Sequence, residues 1–238
     1  MKPENQKAIW VIGFPKSGNT WISYLCSYCF NLPFHNFGDA NANQKKSWIR
    51  DLTGGDNDWT TIKGYNTVQK THKQPNQVPS STGLVIYAIR DPRDVFVSYY
   101  YFMRSSNAQW IGRLRFYLLG IFGRKTQIKS FLSSWKQHIN AWSQQTQMIM
   151  CYDKLISNGP EYLSSQFSTA GFAIDDEIVY SAFEQFSFEK MSGGRKPGLE
   201  DQKSFFRKGI SGDWQNQLTA AEVELFGDSV NLYQESIN

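Results

Sequence analysis

The chain opens its ordered pattern with an unbroken apolar run. Ala8-Ile9-Trp10-Val11-Ile12 offers no polar residue to solvent and stops at Gly13. A short continuous run closed by glycine predicts a strand covered on both faces. From Thr20 onward the period changes, because Trp21, Ile22, Tyr24, Leu25, Tyr28 and Cys29 recur at helical spacing. Leu84-Val85-Ile86-Tyr87-Ala88-Ile89 predicts a second covered strand, ending at Arg90. There Asp91 is placed to cap a helix, Pro92 suits its first position, and Asp94 stands where a capping-box acid would. That helix continues through Val95, Ser98, Tyr99 and Phe102. Thr67-Val68-Gln69 predicts a shorter strand. Thr146 to Tyr152 predicts another, preceded by a helix that includes Trp135 to Trp142.

Helices alternating with covered strands imply an α/β fold, with a central parallel β-sheet flanked by helices. No repeat and no linker divides the chain, so residues 1–238 read as one domain. Gly193 to Pro197 is expected to be a flexible loop, from its Gly-Gly and Pro-Gly punctuation.

Composition narrows the class. A chain of 238 residues suits one well-packed domain. Lys and Arg number 25 against 21 Asp and Glu, a net charge of +4, and the basic residues are scattered rather than run together. That balance fits one anionic small ligand and argues against a nucleic-acid surface. The polar start, Met1 to Gln6, does not read as a secretory signal. No transmembrane segment is expected, since no stretch approaches ~18 apolar residues. Three cysteines argue against a disulfide framework and for a reducing compartment, so the expected localisation is cytoplasmic. Cys26 and Cys29 form a C-x-x-C, but in an aromatic helical setting with no second pair. Core packing accounts for them better than redox or zinc chemistry.

The chemistry begins at Val11-Ile12-Gly13-Phe14-Pro15-Lys16-Ser17-Gly18-Asn19-Thr20-Trp21. Gly13 and Gly18 keep the spacing of a nucleotide phosphate loop, and Thr20 keeps its hydroxyl. The lysine that should follow the second glycine is Asn19, and a lysine stands at position 16 instead. Strand, loop and helix still supply converging backbone N–H groups and a positive helix end for an anion. Arg90, at the carboxyl end of a covered strand, stands where open α/β sheets bind ligands, and its fork suits a second phosphate. Ser98 adds a hydroxyl two turns later. Arg207-Lys208-Gly209 near the far end can wrap an anion with side chains and backbone. His72, after Lys70-Thr71, has the chemistry of a general base near neutral pH. His138 reads as a core or pocket residue. Each feature alone also has a plain reading: a solvated lysine, an Arg90 ion pair with Asp91 or Asp94, an exposed basic turn, a structural histidine.

Taken in order, these motifs resemble the sulfotransferases that use 3′-phosphoadenosine 5′-phosphosulfate (PAPS). Lys16-Ser17-Gly18-Asn19-Thr20-Trp21, Lys70-Thr71-His72, Arg90-Asp91-Pro92-Arg93-Asp94 with Ser98, Tyr152-Asp153-Lys154-Leu155, Ser187-Phe188-Glu189-Lys190-Met191 and Phe206-Arg207-Lys208-Gly209 carry the likeness. It runs from about residue 9 to residue 220 and implies a P-loop-like fold. It further implies that residues 16–21 cradle the 5′-phosphosulfate, with the Trp21 ring available to the adenine. Arg90, Ser98, Arg207, Lys208 and Gly209 would hold the 3′-phosphate, and Tyr152 and Phe188 the adenine. His72 would be the base that accepts the acceptor's proton, with Lys16 and Lys70 stabilising charge on the transferring group. No metal is called for, because lysines serve the leaving phosphate, and the product is adenosine 3′,5′-bisphosphate (PAP). Phe186 stands where many members carry a small hydroxyl residue.

Acceptor specificity is expected in the segments that these motifs leave open, Phe34 to Asn66 and Arg104 to Lys129. The second holds Arg113 to Lys125, a mostly apolar run flanked by cations. It reads either as a lid over the acceptor pocket or as contact with a lipid-like acceptor or a membrane surface. A P-loop kinase is disfavoured by the missing lysine after Gly18. A non-catalytic nucleotide-binding module would have no need of Lys70 and His72.

Overall fold

The structure, a computed structural model, describes residues 7–37, 62–78, 83–105 and 108–237. Residues 1–6, and residues 38–61 of the expected acceptor segment, lie outside the described residues. The strands are β1 (Lys7–Ile12), β2 (Phe34–Asn36), β3 (Tyr65–Thr71), β4 (Val85–Ile89) and β5 (Met148–Cys151). The helices are α1 (Asn19–Phe30), α2 (Pro92–Arg104), α3 (Trp110–Ile121), α4 (Arg124–Trp142), α5 (Tyr152–Thr169), α6 (Asp176–Gln185), α7 (Phe188–Met191), α8 (Trp214–Gln217), α9 (Ala220–Val223) and α10 (Gly227–Ile237).

The five strands form one parallel sheet in the order β2-β3-β1-β4-β5. Because side chains alternate along a strand, β1 feeds both sides of the sheet. Ile9 and Val11 join the apolar cluster that includes α1 residues Ile22 and Leu25, together with Leu163 of α5 and Val179 of α6. Trp10 and Ile12 join the cluster of Val95 and Phe96 in α2 and Phe131 and Trp135 in α4. Both faces are covered, which is why the strands read as continuous apolar runs rather than alternating ones.

Register positions the chemistry. Val11 pairs with Lys70 and Ile12 with Thr71, so Gly13 and His72 leave the sheet side by side. Ile89 pairs with Cys151, so Arg90 and Tyr152 also leave together. Both exits lie at the carboxyl edge of the sheet.

Several local expectations differ from the structure. The strand expected at Thr146 to Tyr152 pairs only over Met148–Cys151, and Tyr152 opens α5. The strand around Val68 extends from Tyr65 to Thr71, and β2 joins it outside. The run from Arg113 to Lys125 is the end of α3 and the start of α4, divided at Gly123 with φ 90°. Gly159, with φ 56°, precedes Pro160 and kinks α5. The loop at Gly193 to Pro197 is anchored by Arg195, which donates to the carbonyls of Leu199, Phe206 and Arg207 and to Ser204 Oγ. Cys26, Cys29 and Cys151 are free thiols in the core.

Candidate active site

The turn from Gly13 to Gly18 fits only without two side chains. A Cβ on Gly13 would come within 2.5 Å of the Ala88 carbonyl oxygen. One on Gly18, whose φ is 92°, would come within 2.4 Å of the Tyr152 ring. Lys16 adopts a left-handed φ of 76°, an unusual conformation for a long side chain. Gly18 is also the N-cap of α1 and supplies no side chain to its first amides, so those donors are left for an anion. Asn19, in the place of the usual lysine, closes the loop, since its Nδ2 donates to Gly13 O at 3.0 Å. Ser17 is buried beside it, and Thr20 Oγ1 accepts from Lys70 Nζ at 3.1 Å.

His72 Nδ1 lies 2.8 Å from Gly13 O. A carbonyl can only accept, which assigns the proton to Nδ1 and leaves the lone pair on Nε2. The backbone of His72 is fixed in turn by α4. His138 Nε2 donates to the His72 carbonyl at 3.2 Å, and His138 Nδ1 accepts from Tyr87 OH at 2.8 Å. Trp142 Nε1 donates to the next carbonyl, that of Lys73, at 3.0 Å. Desolvation beneath the surrounding chain, and then the Lys70 charge, push the His72 imidazole well below the usual histidine range. Solvent still reaches the outer edge of the residue. The imidazole is neutral at pH 7.

Cations converge on the same place. Lys16 Nζ sits 4.8 Å from the Phe102 ring centroid and 4.2 Å from that of Phe205, and donates to Phe205 O at 3.4 Å. Burial there, with the charges of Arg90, Lys70 and Arg207, lowers its pKa to about 7. Arg90 stacks on Tyr152 at 4.3 Å and donates to Ile210 O at 2.9 Å, with Asp94 at 3.9 Å. Asp94 does not serve as a capping-box acid. It accepts instead from the backbone N–H groups of Gly212 and Trp214, at 2.6 and 3.0 Å, while Asp91 alone caps α2.

Arg207 and Lys208 share the buried Asp213 at 2.5 Å each, and Arg207 also meets Glu200. Gly209 packs so tightly that a Cβ would come within 2.1 Å of the Phe188 ring. Ser98 is half-buried on α2, one turn past Asp94 and one turn before Phe102. Trp21 meets Tyr152 edge-on at 5.7 Å. Phe186 instead lies in the core against Tyr24 and Tyr28.

Sequence reasoning missed one organising residue, Asp153. Its carboxylate accepts from Asp91 N, Ser211 Oγ and Tyr233 OH, tying the Arg90 turn, the glycine loop and α10 together. The only hint was its place beside Tyr152 in a recognised motif. Phe205, over Lys16, had no signal at all.

Four buried polar atoms in this region have no hydrogen-bond partner among the described residues: Asn19 Oδ1, Trp21 Nε1, Arg90 Nε and Arg207 Nε. Unsatisfied buried groups are costly, and three of these four are donors. With the uncapped α1 amides they fit an anionic ligand with hydrogen-bonding acceptors, as a phosphorylated nucleotide would be. Among the described residues, no group of three or more His, Cys, Asp or Glu is placed to hold a metal ion.

Unsatisfied donors suited to a phosphorylated anion, a neutral base beside them and a modified phosphate loop on a parallel sheet define a group-transfer enzyme of the P-loop type. The profile of the family described as "Sulfotransferase domain" matches residues 6–231, and the chain belongs to that family. Sulfotransferase 2A1 of Macaca fascicularis is 26% identical over 261 residues, covering 95% of this chain and 83% of the relative. Sulfotransferase 2B1 of Mus musculus is 28% identical, covering 97% and 71%. The 3-alpha-hydroxysteroid sulfotransferase of Cavia porcellus is 27% identical, covering 95% and 82%. The mouse sulfotransferase SULT7A1, solved complexed with PAP, shares the fold with a TM-score of 0.63 at 18% identity, covering 97% of this chain and 88% of that one. No helix among the described residues is long and apolar enough to cross a membrane.

Proposed function

We propose that this sulfotransferase moves a sulfuryl group from PAPS to a hydroxyl of a small, lipid-like acceptor, with His72 as general base. The observation that carries this reading is the pairing of His72 with Gly13: one contact joins the base to the phosphate loop and leaves Nε2 free. When bound, the donor supplies a sulfuryl group already activated on a phosphate. The chain's part is to hold that donor and move one proton. The α1 amides, Ser17 and Thr20 bind its 5′ end. Arg90, Ser98, Arg207, Lys208 and Gly209 bind the 3′-phosphate, and Trp21, Tyr152 and Phe188 frame the adenine. Lys16 and Lys70 offset charge that grows as the group leaves. Nε2 of His72 takes the hydroxyl proton as the acceptor oxygen attacks.

The acceptor class rests on the relatives named for hydroxysteroids. A thermal-shift titration with PAP, against ADP and ATP with and without Mg²⁺, tests the donor assignment. A ligand at ~100 times its Kd adds ~2.7 kcal/mol of stability. Stabilisation by PAP without metal is the expected result, followed by transfer of labelled sulfuryl to a hydroxysteroid panel. Stabilisation by Mg-ATP alone would overturn the donor assignment.

A further inference from the structure

Helix α3 is built the wrong way round for a surface helix. Its inner side is thin: Phe116 is buried, Gly112 approaches Met103, and Gly120 approaches Gln127. Opposite that side the helix should be polar. It carries Trp110, Ile111, Leu114, Leu118 and Ile121, and Phe122 continues the row. All six are exposed, from 50% at Leu114 to 78% at Phe122. At 100° per residue they fall on one continuous stripe. Single exposed apolar residues are ordinary, whereas a contiguous stripe marks a contact surface.

The charge around the stripe selects what it contacts. From Val95 to Tyr152 the chain has seven Lys and Arg and not one Asp or Glu, although carboxylates number 21 overall. Arg115 is exposed on one flank of the stripe. On the other flank Arg104 lies 5.9 Å from the Tyr117 ring. Lys125 and Lys129 are exposed one helical turn apart at the start of α4, just past Phe122. An apolar face rimmed on its sides and end by cations that form no ion pair among the described residues complements an anionic lipid surface, where apolar side chains enter the acyl boundary and cations meet headgroups.

We infer that the outward face of α3, with Arg104, Arg115, Lys125 and Lys129, docks the enzyme onto anionic membranes. The surface stands close to the active site. Phe116 packs on Tyr99 and Tyr100 of α2, and the same helix carries Phe102 under Lys16. Docking through α3 therefore brings the helix that carries Phe102, beneath Lys16, close to a lipid interface.

Co-sedimentation with phosphatidylcholine vesicles containing about 30% phosphatidylserine, without donor or acceptor, tests this independently of catalysis. The wild type should partition onto these vesicles and leave pure phosphatidylcholine largely unbound. Binding should weaken as salt is raised. Leu114→Ser with Leu118→Ser and Ile121→Ser should reduce partition by at least about tenfold. Arg115→Gln with Lys125→Gln should reduce it by roughly fivefold per charge removed. All these side chains are exposed, and an unchanged thermal midpoint will show that the variants fold. Equal partition onto neutral vesicles, or none onto anionic ones, overturns the proposal. So does a concentration-dependent dimer abolished by the triple variant in the absence of vesicle binding, which would make the stripe a contact between two copies.

Discussion

His72 and Gly13 leave neighbouring strands side by side, and the imidazole Nδ1 lies 2.8 Å from the glycine carbonyl. The contact fixes both the ring and its tautomer, so Nε2 is the basic nitrogen before any substrate arrives. His72→Ala should therefore lower kcat by about 10²–10⁴-fold. Its binding of PAP should stay near that of the wild type, because the phosphate loop is closed separately by Asn19. Isothermal titration with PAP and a turnover assay separate the two effects. Near-normal turnover would remove His72 from the role of base.

Lys16 makes a prediction about protons. Desolvation and the charges of Arg90, Lys70 and Arg207 bring its pKa to about 7, so it is largely neutral at pH 8. A bound polyanion favours the charged form and raises that pKa. PAP binding at pH 8 should then take up close to one proton, visible as a dependence of the titration enthalpy on the buffer's ionisation enthalpy. Affinity should decline as pH rises above 7, since protonating Lys16 becomes part of the binding cost. In Lys16→Met the buffer dependence should vanish. If it persists undiminished, the proton goes elsewhere.

The sheet was legible because both its faces are covered. Ala8 to Ile12 and Leu84 to Ile89 could be read as strands without any knowledge of their partners. Short β2 lacks such a run, and Tyr152 reads as strand until the chain turns beneath Arg90. At the site, the residues that carry motifs were visible, whereas those acting through long-range contacts were not. Asp94 looked like a local cap, yet its carboxylate reaches Gly212 and Trp214. Asp153 and Phe205 gain their roles only when distant segments meet, which no local pattern encodes.

Gly209 is a steric requirement as well as a backbone one. It has φ 67°, and an added Cβ would lie 2.1 Å from the Phe188 ring. Gly209→Ala must move either the ring or the 207–212 loop, both assigned to the donor. Strain of about 1–3 kcal/mol, carried into the donor site, would weaken PAP binding by roughly 5–150-fold. Gly171→Ala is the control: its φ of 83° imposes similar backbone strain, but nothing lies within 4 Å of the new Cβ. Thermal shifts with and without PAP should show both variants destabilised, and only Gly209→Ala losing its response to ligand. An equal response in the two would detach Gly209 and Phe188 from the donor site.

His138 links the site to acid stability. It is buried, donates to the His72 carbonyl and accepts from Tyr87 OH, and desolvation lowers its pKa to about 4. In the unfolded chain the same imidazole titrates near 6.5. Between these values the unfolded state binds a proton that the native state refuses, so stability is lost as pH falls from about 6.5 toward 4. At pH 5 this amounts to about 2 kcal/mol, with the full effect reached only below pH 4. Replacing His138 with Gln sacrifices hydrogen-bond geometry at every pH but removes one titrating group. Denaturant unfolding at pH 7.5 and pH 5 isolates the second effect: the variant should be less stable at pH 7.5, while its further loss on acidification should be about 2 kcal/mol smaller than that of the wild type. An equal loss in both proteins would mean that His138 already carries its proton in the native state. The tautomer that positions the His72 carbonyl would then have to be reassigned.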